Sequence, residues 1–177
     1  ATGNTATASI DNISAFADVS LSAAATIDIG NIDLTANADV GAATASIGNI
    51  LADASVSSTS GSATAANITI DDITLIADGN TANASIDNID ADANGSSSAA
   101  ATANIDIGNI ELTANADVGA APASMGNISA DAIADAIGNA TATVTIDDIT
   151  LIVDGATTAD ASIGNIAAFA SEDATAN

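Results

Sequence analysis

An internal repeat is the feature of this chain that most constrains its fold. Residues 26–50 recur at 104–128 with few changes, and residues 69–76 recur at 145–152, so the long repeat is about 77 residues. Repetition at a fixed period is typical of arrays in which each unit buries its apolar face against the next. The chain is therefore expected to be one repetitive body.

A shorter repeat lies inside the long one. The tetrapeptide Ile-(Gly/Asp)-(Asn/Asp)-Ile recurs nine times at a mean spacing of about 19 residues, with Met125 replacing the first Ile once. The array over 1–177 then holds about 2.3 copies of the long repeat, which are 1–76, 77–153 and the partial copy 154–177.

The residues around each tetrapeptide alternate between apolar and polar. In 26–40 the apolar positions alternate up to Ile29, and the alternation restarts at Ile32. A period of two indicates β-strand, and Gly, Asn and Asp at the break favour a tight turn. Each short unit is therefore predicted to be two strands whose flanking Ile residues face one interior.

The acidic residues support this interpretation. The chain has 23 Asp and Glu residues, and 21 of them fall in the breaks or at outward strand positions. A disordered acidic chain has no reason to keep its charges off one face. The sequence thus predicts a folded all-β protein with an interior of Ala and Ile.

Two all-β architectures fit the pattern. In a repetitive β-solenoid of about nine short two-strand units, each unit is one rung and equivalent residues stack along the axis. In the alternative, Gly-Asn closes two-residue hairpins, and the units form an antiparallel β-meander or sandwich. The solenoid is preferred because every unit presents the same residue types to its neighbours. One segment, 128–140, departs from the pattern near Ile133 and Ile137, where an irregular connection is expected.

The missing residue types exclude many functions. There is no Lys, Arg, His or Cys, and the formal charge is −23. Disulfides, Cys/His metal sites and Ser-His-Asp triads are excluded. Nucleic acid is not an expected partner because phosphate contacts need cations. No apolar run reaches the roughly 18 residues of a membrane span. We expect neither an enzyme nor a required cofactor.

Two pairs of adjacent carboxylates are candidate calcium ligands: Asp71 with Asp72, and Asp147 with Asp148. The equivalent turns elsewhere carry Gly-Asn or Asp-Asn, and a bound Ca²⁺, which accepts several oxygen ligands, would explain the exception. A solvated turn is the alternative. The run Asp90–Gly95 also matches the start of an EF-hand loop, but its acidic residues equally fit the outward face of a strand.

Other candidate sites are single residues. Asn67 and Asn83 lie in Asn-x-Ser/Thr sequons and are candidate glycan sites if the protein is secreted. Phe16 and Phe169 occupy the same outward position of the repeat, which favours a local lid or a subunit contact over a ligand site.

The phrase Gly-Asn-Ile-x-Leu-Thr-Ala at 30–36 and 108–114 resembles the repeats of secreted β-solenoid proteins. Curli-type functional amyloids and filamentous-haemagglutinin-like adhesins have units of similar length. The resemblance implies an extracellular, self-associating structural role.

We therefore expect a secreted subunit that forms a filament, sheath or matrix fibre. The edge near 1–13 is predicted to pair with the edge near 163–177 of the next subunit, because the chain starts and stops within a repeat and shows no cap. The beginning at Ala1 suggests either a removed signal peptide or a segment of a longer protein. The alternatives are the stalk of a surface adhesin and an ice-binding solenoid that uses Thr5 with Thr7, or 141–145.

Overall fold

A computed structural model describes residues 2–57, 63–96, 100–134 and 138–172. Every regular element in these ranges is a β-strand. The strands are β1 (Thr2–Gly3), β2 (Ala6–Val19), β3 (Ser22–Ile29), β4 (Ile32–Ala38), β5 (Ala42–Val56), β6 (Ala63–Ile70), β7 (Ile73–Gly79), β8 (Thr81–Gly95), β9 (Ala100–Ala116), β10 (Ala120–Ala134), β11 (Ala140–Gly155), β12 (Thr158–Ile163) and β13 (Ile166–Glu172).

The strands form two parallel sheets that the chain visits in turn. Sheet A contains β1, β3, β4, β6, β7, β9 and β11, and sheet B contains β2, β5, β8, β10, β12 and β13. Every strand pair is parallel and in register, so that Ile10 lies beside Ile47, and Ile47 beside Ile86. The predicted β-solenoid is confirmed. Antiparallel hairpins, the alternative, are not what the described residues form.

The size of one turn differs from the expectation. Paired residues in successive turns are 35 to 41 positions apart, so one turn takes two of the short units and the long repeat is two turns. The nine units become nine passes across the two sheets, or about four turns in place of nine rungs. The Ile-x-Asn-Ile break lies within a pass, as at Gly48-Asn49 in β5, and its two halves stay in the same sheet.

The reason is that each break places two consecutive residues outward at the same point of every pass, so neighbouring strands stay paired one to one on both sides of it. The alternation restarts without the chain leaving the sheet, and both flanking Ile residues remain buried. In the sequence, this change of phase is the same as the one expected at a corner between sheets. The true corners are the short connections between passes, such as 39–41 and 117–119.

The core lies between the sheets and is made of columns of Ile and Ala. A column is the set of residues at one position of successive passes. Ile47 and Ile50 in sheet B, and Ile70 and Ile73 in sheet A, are almost fully buried beside the breaks. No described carboxylate side chain is buried, which confirms the outward placement of the charges.

Two further features of the fold concern the segment 128–140 and membrane-spanning helices. Strand β10 runs regularly through Ile133, which points outward, and ends at Ala134, so no irregularity begins at Ile133. Residues 135–137, with Ile137, lie outside the described residues, and the irregular connection expected there stays a prediction. The described residues include no helix with the length and apolar character needed to cross a membrane.

Candidate functional site

An asparagine ladder runs along sheet B at the second residue of each break. Its members stack in register, and the side chain of one binds the next. The Oδ1 atom of Asn12 accepts a hydrogen bond from the backbone N–H of Asn49 (3.0 Å), and that of Asn88 accepts one from the N–H of Asn127 (3.1 Å). The Nδ2 of Asn88 donates to Oδ1 of Asn49 (3.0 Å). The N–H of Asn165 donates to Oδ1 of Asn127 at 3.0 Å, which continues the ladder to the last pass.

The calcium candidate Asp72 belongs to the equivalent ladder in sheet A. The order of this column is Asn31, Asp72, Asn109, Asp148. One carboxylate oxygen of Asp72 accepts hydrogen bonds from the backbone N–H (2.7 Å) and the Nδ2 (2.9 Å) of Asn109. Bonds to a charged acceptor are stronger than neutral ones. Asp72 is therefore a structural equivalent of Asn, and the ladder accounts for its presence without a metal.

The other two candidates, Asp71 and Asp147, stand in the neighbouring column. There they alternate with Gly30 and Gly108. A Cβ at Gly108 would overlap the carbonyl oxygen of Asp71 in the turn below. Asp71, Asp72 and Asp147 line one shallow surface depression together with Asp106. Among the described residues, no group of three or more acidic side chains converges closely enough to hold a metal ion. Calcium binding at these four residues stays a prediction.

The carboxylates of sheet A alternate with uncharged residues along every column. Asp28 and Asp106 are separated by Thr69 in the turn between them, and Asp33 and Glu111 are separated by Thr74. The same holds for Asp78, which lies between Asn37 and Asn115. Adjacent parallel strands are only about 4.8 Å apart, so the alternation doubles the distance between like charges in a column.

Sheet B breaks this rule in one column. Asp53, Asp92 and Asp131 lie in register in consecutive passes, and Phe16 and Phe169 occupy the two ends of the column. Burial raises the pKa of Asp92 above its ordinary value, and the charges of Asp131, Asp90 and Asp53 raise it further. This column holds the strongest concentration of like charge that the described strands stack directly.

The acidic residues of the EF-hand-like run lie on the outward face of β8, as the strand interpretation predicted. Asp90, Asp92 and Asn94 alternate with buried Ala91 and Ala93. The Asp90 carboxylate accepts a hydrogen bond from the Ser129 hydroxyl of the next turn.

The remaining candidates are dispersed. Asn67 and Asn83 lie half-buried on the outer faces of β6 and β8, and glycosylation there stays a prediction. The structure does not bring the two threonine runs together: Thr7 is on β2 in sheet B, whereas 141–145 lies on β11 in sheet A at the opposite end. The two runs therefore do not form one continuous threonine array of the kind expected for ice binding.

The sequence analysis missed both the asparagine ladders and a serine ladder. Ser9, Ser46, Ser85, Ser124 and Ser162 stack in one column of sheet B. Each directly precedes the first residue of a break, which is Ile or, once, Met125, so alignment of the nine units by their breaks would have revealed the column.

Comparison with known proteins adds no further assignment: no family model, no curated protein and no solved structure matches this chain.

Proposed function

We propose that this protein is a structural subunit that self-assembles into an extracellular filament, sheath or matrix fibre. The observation that carries the proposal is the exposure of the last pass. Ile163 and Ile166 are each 47% exposed, whereas Ile86 and Ile89 in the same two columns are 2% and 0% exposed. A further parallel pass stacked on this end would bury them.

The last turn of sheet A supports the same proposal. The inward residues of β11, among them Val144, Ile146 and Leu151, are half-buried, whereas their equivalents in β9 are buried. Burial of apolar surface contributes about 25 cal/mol per Å², so covering this end stabilises the assembly. The edges of β11 and β13 also present backbone groups that another strand can pair with.

The structural role fits the chemistry of the described surface. Its outward faces consist of repeated Ser, Thr, Asn and Asp columns, and such a solenoid extends by adding turns without changing its cross-section. The extracellular location rests on the resemblance of the repeats to those of secreted proteins.

The test is the association state of the purified 177-residue polypeptide, followed by sedimentation and electron microscopy in acid, in high salt and with Ca²⁺. The double variant Ile163→Asn/Ile166→Asn should remain folded and lose assembly. The matched control is Val40→Asn/Val118→Asn, which replaces two β-branched apolar side chains that are more exposed (63% and 62%) and lie in the connections from sheet A to sheet B. The control should assemble as the unmodified chain does.

Two results would contradict the proposal. The first is a monomer under all three conditions. The second is loss of assembly in the Val40/Val118 control but not in the Ile163/Ile166 variant, which would place the contact on the side of the solenoid.

A further inference from the structure

The two aromatic side chains of the chain stand at opposite ends of one column. The sequence has two Phe and no Trp or Tyr. Phe16 pairs with Asp53 at the first pass of sheet B, and Phe169 pairs with Asp131 at the last. Phe16 is 66% exposed and Phe169 is 56% exposed. Both are outward, and both lie on strands with one unpaired edge in the described chain.

From this arrangement we infer that copies of the chain join head to tail through sheet B. Strands β12 and β13 of one copy pair in parallel with β2 of the next, and Phe169 stacks on Phe16 of that next copy. The inference rests on the proposed self-assembly and specifies its interface. It also places the first and last strands of sheet B, β2 and β12 with β13, in direct contact and in register.

The ladders of sheet B would continue across this junction. Position by position, Ser162 would meet Ser9, and Asn165 would meet Asn12 of the next copy, because each pair belongs to one column. The backbone N–H of Asn12 would then reach Oδ1 of Asn165, the bond that links the asparagines of successive turns within the chain. The exposed Ile163 would be covered by Ile10.

The charges are compatible with the same register. Asp160 would face Thr7, Gly164 would face Asp11, and Ser171 would face Asp18. Within the described side chains of β2, β12 and β13, no carboxylate would face another at this junction. Phenylalanine also ends the Asp53–Asp131 column on both sides, so the like charges of two copies do not stack directly, and an aromatic contact takes their place.

Among the described residues, sheet A has one pass fewer than sheet B. For these residues the junction leaves one strand position open between β11 and β4 of the next copy, and β1 of that copy, which pairs with Asn37 and Ala38, covers only its end. Sheet B therefore carries most of the contact. Each copy would advance the filament by five strand spacings, which is roughly 24 Å at about 4.8 Å per strand. This axial repeat is measurable by electron microscopy.

The closing experiment uses engineered cysteines, because the chain has none of its own. Phe16→Cys and Phe169→Cys chains are mixed in high salt at neutral pH and oxidised. Adjacent strands place the two Cα atoms about 5 Å apart, within the range of a disulfide. The matched control mixes Ser14→Cys with Phe169→Cys; Ser14 is one outward position away on the same strand, which puts the Cα atoms about 8 Å apart, beyond disulfide reach.

We expect covalent dimers from the 16/169 mixture and at least tenfold fewer from the 14/169 mixture or from either single variant alone. The Phe16→Ala/Phe169→Ala chain should assemble at a concentration roughly three- to tenfold higher, the effect of losing one aromatic contact.

Assembly is measured by sedimentation on each sample before oxidation. Assembly without preferential 16/169 linkage overturns the head-to-tail register and leaves the structural role intact. Absence of assembly in the unmodified chain overturns the structural role and this interface together.

Discussion

Sheets A and B both consist of parallel strands interrupted by the same kind of break, but they space their charges differently. In sheet A each carboxylate is followed along its column by an uncharged residue, as Thr69 follows Asp28. In sheet B three aspartates stack without interruption, and the pKa of the middle one, Asp92, is raised by burial and by its neighbours. A repeat of two turns lets the residues of a column alternate between charged and uncharged, so an acidic solenoid avoids direct contacts between like charges. One column of sheet B lacks this alternation.

The largest effect on assembly should come from neutralising or screening the carboxylates of both sheets. Protonation below about pH 4, high salt and Ca²⁺ each weaken the repulsion within a chain of formal charge −23 and between its copies. We expect assembly to increase many-fold under each condition relative to EDTA at pH 8 and low salt, as measured by sedimentation. Equal assembly in all four would show that charge does not control it.

A second effect concerns the asparagine ladder of sheet B. Asn88→Ala removes the acceptor of the Asn127 N–H and the donor to Asn49, and it should lower the free energy of unfolding by about 1–2 kcal/mol. Asn165→Ala is the control, because Asn165 contributes a backbone N–H to the ladder, which alanine keeps. Denaturant unfolding of both variants measures the difference; similar losses would mean that the ladder side chains do not stabilise the fold.

The sheet A ladder separates a structural role of Asp72 from a calcium role. Asp72→Asn keeps an oxygen that can accept from Asn109, so stability in EDTA should change little, whereas Asp72→Ala should cost about 1 kcal/mol. Thermal unfolding is measured with and without Ca²⁺. If Ca²⁺ stabilises the unmodified chain and Asp72→Asn removes that effect, the calcium prediction is supported at this position.

One substitution can give sheet A the direct stacking of carboxylates that occurs in sheet B. Thr69→Asp places a carboxylate between Asp28 and Asp106, and it should lower the free energy of unfolding by about 1 kcal/mol at neutral pH and low salt. Thr69→Asn, similar in size to Asp but neutral, is the matched control. The deficit of the Asp variant relative to the Asn variant should shrink in acid; a pH-independent deficit would point to packing and not to charge.

The smallest effect should follow from removing one charge from the stacked aspartate column of sheet B. Because the folded-state pKa of Asp92 is raised, its contribution to stability is fully present below the unfolded pKa and is lost as the pH rises through the folded value. Asp92→Asn should therefore raise the melting temperature at pH 7 by about 1–2 °C and reduce the fall in stability as the pH rises above about 4.

The control for Asp92 is Asp78→Asn in sheet A, a half-buried aspartate whose column neighbours are both asparagine. It should change the melting temperature less than Asp92→Asn does. A larger gain from Asp78→Asn would reject the proposed link between direct stacking and strain in the Asp92 column.

Several features of this protein were predictable from the sequence alone because they depend on alternation and repetition. The strand class, the inward Ile29 and Ile32, the outward carboxylates and the common position of Phe16 and Phe169 all follow from a period of two within a repeat. These properties are local: they depend on which side of the strand a residue occupies, and the sequence states this directly.

Only the tertiary structure decided which residues lie beside each other in successive turns. A change of phase at Gly48-Asn49 is the same in sequence whether the chain turns a corner or continues within one sheet, so the turn length was underestimated by half. Once a turn takes two units, Asp72 lies against Asn109 and Asp92 lies between Asp53 and Asp131. Column neighbours are set by the length of a whole turn, a long-range quantity. Only the tertiary structure therefore decided that the carboxylates of sheet A alternate with uncharged residues and that three aspartates of sheet B stack directly.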